Sequence, residues 1–418
     1  MRIVCSEEKA YFDFASDGFS CLKAFDASWK RLLFLIASAT FAAVVSFFST
    51  PFGGVAFASQ ANAGVDLGDE GSEALYEEPS EDAKATAALV RMSSRPAYDR
   101  NEEALPVSES PVVKRLAGPI ALDTMQAIVK EGFPAGSCDS VVLATSGGYW
   151  DALTASGLAG LLQCPVLLTD GDTLSPQAAE EIERLGATNV YIAGGSPAVS
   201  DYVVDQVASL STYPVVRRLA GEDARGTARQ IYEAGKGSWG STAIVATSDG
   251  YWDGLSASPY AYAKNAPIFL TNPSTQMLDP ESVYKLRTGG FTRIVLVGST
   301  VVVSDAVKEQ LPGMSFVRLG GIDAYETSRM VANWCVEEGM GASYIGFATG
   351  GGYWDALSGA SLCGSRNSVL LLVDDGYREN IDFARGNASS IDTAYVFGGS
   401  PAVSDETFRI LEEALTSQ

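Results

Sequence analysis

The 418-residue chain contains no histidine. That absence excludes every mechanism that needs an imidazole as base or metal ligand, including serine–histidine triads, the HExxH zinc site and histidine-ligated zinc amidases. Charge is scarce and one-sided. Only 19% of residues are charged, with 51 acidic against 29 basic, a net charge of −22. No basic patch with interleaved aromatics occurs, which argues against nucleic acid as a partner, since phosphates demand clustered Lys and Arg. Cysteine is sparse and never spaced as CxxC, so a zinc site is not expected. Cys138, Cys164, Cys335 and Cys363 lie beyond the leader, where disulfides and buried thiols are both open readings. The SGG and GGG runs of the later Tyr-Trp-Asp motif are loose and contain neither GxxxxGK[ST] nor a complete GxGxxG, so neither nucleotide nor any other small-molecule cofactor is expected.

What is present begins with a leader. Lys30-Arg31 precedes an uncharged apolar run from Leu32 to Phe48, followed by small-residue sites at Ala56-Phe57-Ala58 and Ala61-Asn62-Ala63. This is the pattern of a secretory signal, although a run of this length could also stay as a membrane anchor. Residues 1–63 are therefore read as lead and signal peptide. Residues 64–111 are read as an acidic disordered linker, poor in large apolar side chains.

The remainder repeats itself. TSGGYWDAL at Thr145 to Leu153 returns as TSDGYWDGL at Thr247 to Leu255 and TGGGYWDAL at Thr349 to Leu357. VVKRLAG, VVRRLAG and FVRLGG precede the three copies. PVLLTD, PIFLTN and VLLLVD follow them, and AGGSPAVSD, VGSTVVVSD and FGGSPAVSD close the units. Three units are expected, at 112–214, 215–315 and 316–418. Within each, continuous apolar β-branched runs alternate with helical patterns, which predicts a parallel sheet covered on both faces. The expected fold class is α/β, three tandem small doubly wound parallel-sheet units.

Each Tyr-Trp-Asp copy falls after a strand and before a helix, at the sheet end where open α/β folds bind ligands. Two readings stay open. Asp151, Asp253 and Asp355 can cap the helices while the aromatics pack against a neighbouring unit. Alternatively, Trp150, Trp252 and Trp354 can stack on sugar rings. Catalysis is disfavoured, because a glycosidase needs two carboxylates across one bond and only one acid recurs here. Arg115, Arg218 and Arg318 recur in register and can either salt-bridge an acidic neighbour or grip an anionic ligand. Asp223 and Asp323 are the expected partners in the later units. Pro119-Ile120-Ala121 leaves no such acid in the first, so Arg115 is expected to be the least paired. Ser200, Ser304 and Ser404 read as helix caps.

In their order and threefold recurrence these motifs resemble the type-two cell wall-binding repeat of Gram-positive surface proteins, over the chain from Val112 onward. The resemblance implies a pseudo-threefold assembly of the units. It also implies noncovalent attachment to an anionic cell-wall polysaccharide or teichoic-acid-like polymer, and a secreted, wall-associated location. It links anchoring to Val166-Leu167-Leu168, Ile268-Phe269-Leu270 and Leu370-Leu371-Leu372, which from the residues alone look like a buried strand. The third unit departs from the pattern with Val369 where Pro165 and Pro267 stand, and Phe269 interrupts the second triplet. The expected function is a secreted, noncatalytic wall-binding protein. A cell-wall hydrolase and an exported small-ligand-binding protein are the alternatives. Residues 112–418 carry 34 acidic and 20 basic side chains, so an anionic polymer would need local sites rather than a general field.

Overall fold

The computed structural model describes Arg2–Val4, Tyr11–Asp13 and residues 111–341 and 343–416. The signal segment and nearly all of the acidic linker lie outside the described residues. Two units separate, residues 1–76 and 77–418. Of the first, the described part is a short antiparallel pair, β1 (Arg2–Val4) and β2 (Tyr11–Asp13). No helix among the described residues is long and apolar enough to cross a membrane.

The second unit holds three sheets of four parallel strands each. The first contains β4 (Ser140–Thr145), β5 (Val166–Thr169), β6 (Asn189–Ala193) and β7 (Val215–Leu219) in the spatial order β5-β4-β6-β7. The second repeats this order with β8 (Thr242–Thr247), β9 (Ile268–Thr271), β10 (Arg293–Val297) and β11 (Ser315–Leu319). In the third, β12 (Tyr344–Thr349), β13 (Val369–Val373) and β14 (Thr393–Phe397) are completed by β3, Val112–Leu116, from the start of the first repeat. Each RLAG strand thus pairs with the sheet of the repeat before it. The last pairing, Thr393 with Val112 through Phe397 with Leu116, closes the series on itself.

The helices after β4, β8 and β12 pack against one another at the centre: α2 (Trp150–Leu162), α6 (Trp252–Ala263) and α10 (Trp354–Ser365). They are apolar or small on almost every face and buried nearly throughout, as a helix without a wet side must be. One core runs through residues of all three repeats, and a second, around Phe269, Tyr232 and Phe291, stays within the second. The outer strands β5, β9 and β13 lie against a central helix of another repeat, which covers edges that would otherwise invite pairing with other chains. Ser361 on α10 even accepts the Val166 N–H at 3.1 Å, so this edge donor is satisfied across repeats. Cys138, Cys164, Cys335 and Cys363 are buried free thiols.

Candidate functional site

The chain order within each sheet reverses between its two middle strands, the place where open α/β sheets leave a crevice. The loop after β4 and the loop after β6 both end there. The threonine that opens each motif fixes the turn. Thr145, Thr247 and Thr349 accept the N–H of Gly147, Asp249 and Gly351 at 2.9–3.0 Å through their hydroxyls. Glycine then makes room for the tryptophan. A Cβ on Gly148, Gly250 or Gly352 would lie about 3 Å from the indole of Trp150, Trp252 or Trp354.

From these corners the aromatic side chains converge. The rings of Tyr149, Tyr251 and Tyr353 meet at centroid distances of 5.4, 5.3 and 5.8 Å, and each lies 4.3–4.4 Å from the tryptophan that follows it. Every corner is tied to the next. Trp150 Nε1 donates to the Ser248 carbonyl at 2.8 Å, Trp252 Nε1 to Gly350 at 2.9 Å, and Trp354 Nε1 to Ser146 at 2.7 Å. The three tyrosine hydroxyls donate to the same carbonyls at 2.9, 3.4 and 3.1 Å. The cycle is closed, first to second, second to third and third to first. Yet the tryptophans remain 38%, 44% and 38% exposed. The aromatics thus pack against a neighbouring repeat, as the first reading expects of them, while each tryptophan still presents surface.

The aspartates do not cap. The cap positions are Tyr149, Tyr251 and Tyr353, without side-chain bonds, and Asp151, Asp253 and Asp355 sit inside the first turn. Their carboxylates instead lie over Gly194, Gly298 and Gly398, where a Cβ would collide with them. Burial pushes Asp151 up to about 6, opposed by a hydrogen bond from Thr227 of the next repeat. Asp253 is raised for the same reason and opposed by Thr327. Asp355 is pushed up to about 6 by burial alone, and its Oδ1 is buried without a hydrogen-bond partner. Ser200 and Ser404 cap their helices as expected, and Ser304 accepts the Ala306 N–H.

The arginines require a correction. Arg115 is not the unpaired one: it reaches Asp405 Oδ1 at 3.2 Å and the carbonyls of Gly398 and Val403 at 3.0 and 2.7 Å. Arg218 meets Asp201 at 2.9 Å and Arg318 meets Asp305 at 3.1 Å, each also holding the carbonyl of Gly194 or Gly298. Asp223 and Asp323 are occupied as helix caps. The reason is the strand pairing, which delivers each arginine to the serine–aspartate loop of the preceding repeat. Arg115→Gln is accordingly expected to lower the melting temperature, as are the same changes at Arg218 and Arg318. Losing hydrogen bonds from a charged donor costs about 1.5–3 kcal/mol. Matched thermal melts would check this, and an unchanged melt for Arg115→Gln alone would contradict it.

The three apolar triplets are buried strand residues. Val166, Leu167, Leu168, Ile268, Phe269, Leu270, Leu370, Leu371 and Leu372 are all at most 1% exposed. They offer no surface to a polymer in this structure. An open groove of about 400 Å³, lined by Leu174, Ala179, Tyr202 and Gln206, shares no residue with the aromatic corners. Sequence reasoning missed the meeting of the tyrosines and the carbonyls that tie the corners. The constant interval of 102 residues between copies was the available signal.

Comparison with known proteins fits this geometry. The model of the cell wall binding domain 2 family matches three times, at residues 115–204, 218–308 and 318–408. The chain belongs to that family. Among curated relatives it is 28% identical over 309 residues to the N-acetylmuramoyl-L-alanine amidase LytC of Bacillus subtilis, covering 73% of this chain and 59% of the relative. It is 32% identical over 236 residues to the amidase enhancer of the same organism, covering 56% of this chain and 31% of the relative. The chain thus spans less than two thirds of either relative. Two solved structures share the fold. Cwp6 from Clostridium difficile has a TM-score of 0.66 at 23% identity, over 77% of this chain and 51% of that one. Cwp8 from the same organism has 0.65 at 24%, over 72% and 51%. The repeats support cell-wall binding and a location at the cell wall or surface.

Proposed function

We propose that this is a secreted, noncatalytic protein held noncovalently on the cell wall by its three repeats. The observation that carries the reading is the threefold family match on a ring whose recurring polar groups are spent on structure. Each junction supplies one recurring carboxylate, and it is packed on a glycine of its own sheet. Each recurring arginine is engaged by backbone carbonyls and an aspartate. With no histidine in the chain, the zinc ligands usual in an amidase have no counterpart. LytC carries an amidase name, but the likeness lies in the binding region.

An anionic polymer gripped by Arg115, Arg218 and Arg318 would require those pairs to be shared with the ligand. The tryptophans ask for no such exchange, which favours them as the contact residues. The apolar triplets would then support attachment only by holding the sheets together.

The test is sedimentation of the full chain with isolated Gram-positive walls, with release of reducing ends and free amines followed in parallel. Co-sedimentation without release is expected. Release at turnover rates would establish the hydrolase alternative, and failure to sediment with any wall would favour the exported small-ligand binder.

A further inference from the structure

We propose that the three tryptophan faces around the pseudo-threefold axis form a stacking platform for neutral pyranose rings of a wall glycan. The inference rests on the wall-binding reading above and names the surface and ligand class that reading leaves open.

Each indole has its polar edge committed, because Nε1 donates to the neighbouring repeat's carbonyl. One face lies against the preceding tyrosine, tilted by 31–33°. What remains for solvent is apolar ring surface in a fixed orientation. Trp334, by contrast, is only 8% exposed. Leaving a large flat ring wet is unfavourable, since burying such a side chain is worth roughly 1.5–3 kcal/mol. Here it is left wet at three corresponding positions. A rigid ring also loses little freedom when a ligand settles on it, so more of the contact energy appears as affinity.

The chemistry of the occupant follows from charge and shape. The C–H faces of a pyranose are flat and weakly positive, and they suit the negative face of an aromatic ring. A neutral sugar is not repelled by a chain of net charge −22, whereas an anionic one needs free cations. The arginines that recur with the repeat are already paired. Three like faces around one axis let a polymer with repeating sugars engage more than one at a time, which multiplies weak contacts into retention.

The experiment uses the full chain with two wall preparations, one intact and one stripped of anionic polymers by hydrofluoric acid. Sedimentation is read at about 0.05 and 0.5 M NaCl, a range over which exposed charge contacts are strongly screened. Trp150→Leu, Trp252→Leu and Trp354→Leu are compared with the corresponding Phe variants. Tryptophan emission is followed as solubilised neutral wall oligosaccharides are added. Each Leu variant is expected to bind about fivefold to tenfold more weakly, as for loss of one stacked ring. The Phe variants should recover most of that affinity, salt should change it little, and emission should shift on adding oligosaccharide. The two preparations distinguish the sources: retention on stripped walls assigns the sugar to peptidoglycan, and retention on intact walls alone assigns it to the attached polymer.

Leu variants that keep their melting temperature and bind like the parent would overturn the platform while leaving wall binding intact. So would binding that collapses with salt, or loss of a dimer in the Leu variants, which would make this face a contact between copies. If the Leu variants do not fold, an unshifted parent emission with bound oligosaccharide decides against the proposal. A parent that binds no wall removes both readings.

Discussion

Leu371→Ala is expected to melt several degrees below the parent protein and to lose wall attachment only in proportion to the fraction unfolded. Leu371 is fully buried on β13, opposite Phe347 on the adjacent strand. Removing it leaves a cavity that the parallel strands cannot close, at a cost of about 2–5 kcal/mol. Leu167→Ala, at the matching place in β5, should behave alike. The volume-conserving Leu371→Met should cost less than about 1.5 kcal/mol and leave attachment unchanged. Binding measured well below the melting midpoint separates the two explanations of an anchoring defect. A folded Leu371→Ala protein that no longer sediments with walls would mean that the triplet touches the polymer after all. That outcome requires β13 to become exposed, against its position beneath a central helix of the second repeat.

The same strands show what can be read in advance. Uninterrupted apolar runs such as VVLAT and PVLLT, separated by helical patterns, predict buried parallel strands, and both are found at 8% exposure or less from Val141 to Thr145 and from Val166 to Thr169. The RLAG strands are legible as strands but not as members of the preceding sheet. A parallel edge strand can add to either of two neighbouring sheets, and its own side chains do not say which. The pairing of Arg115 is hidden for the same reason, because its partner Asp405 lies 290 residues away at the other end of the repeat region. The aspartate of the Tyr-Trp-Asp corner departs from the expected cap for a local reason. The helix begins at the tryptophan, two residues earlier than a capping aspartate would require. The carboxylate is then carried toward the glycine after the third strand. The constant interval signals that the three tyrosines hold equivalent places, but not that those places converge, which depends on how the central helices pack. Closure itself is not readable, because it depends on Val112–Leu116 finding a strand near the opposite end of the chain.

Asp355→Asn is expected to stabilise the protein at pH 7.5 and to lose that advantage as the pH falls toward 4.5. Burial raises the Asp355 carboxyl to about 6 from an ordinary value of 3.8. A carboxyl that holds its proton more tightly when folded contributes stability that is fully present below the unfolded value. That contribution declines between about 4 and 6 and is gone above the folded value, because the native state binds more protons through that window. A rise of this size penalises the ionised form at neutral pH by roughly 2–3 kcal/mol. Asn removes the charge while keeping the shape that packs over Gly398. Asp151→Asn should gain about as much, since its carboxyl is raised to the same value of about 6 even with the Thr227 hydroxyl opposing burial. Many other carboxylates also titrate below pH 5, so the informative quantity is the difference between variant and parent melts at each pH. A positive difference at pH 7.5 that shrinks on acidification is the expected result. A difference that stays constant with pH would show that Asp355 does not ionise at a cost. The third junction, where the ring is closed by the first strand of the region, would then carry no buried charge to release.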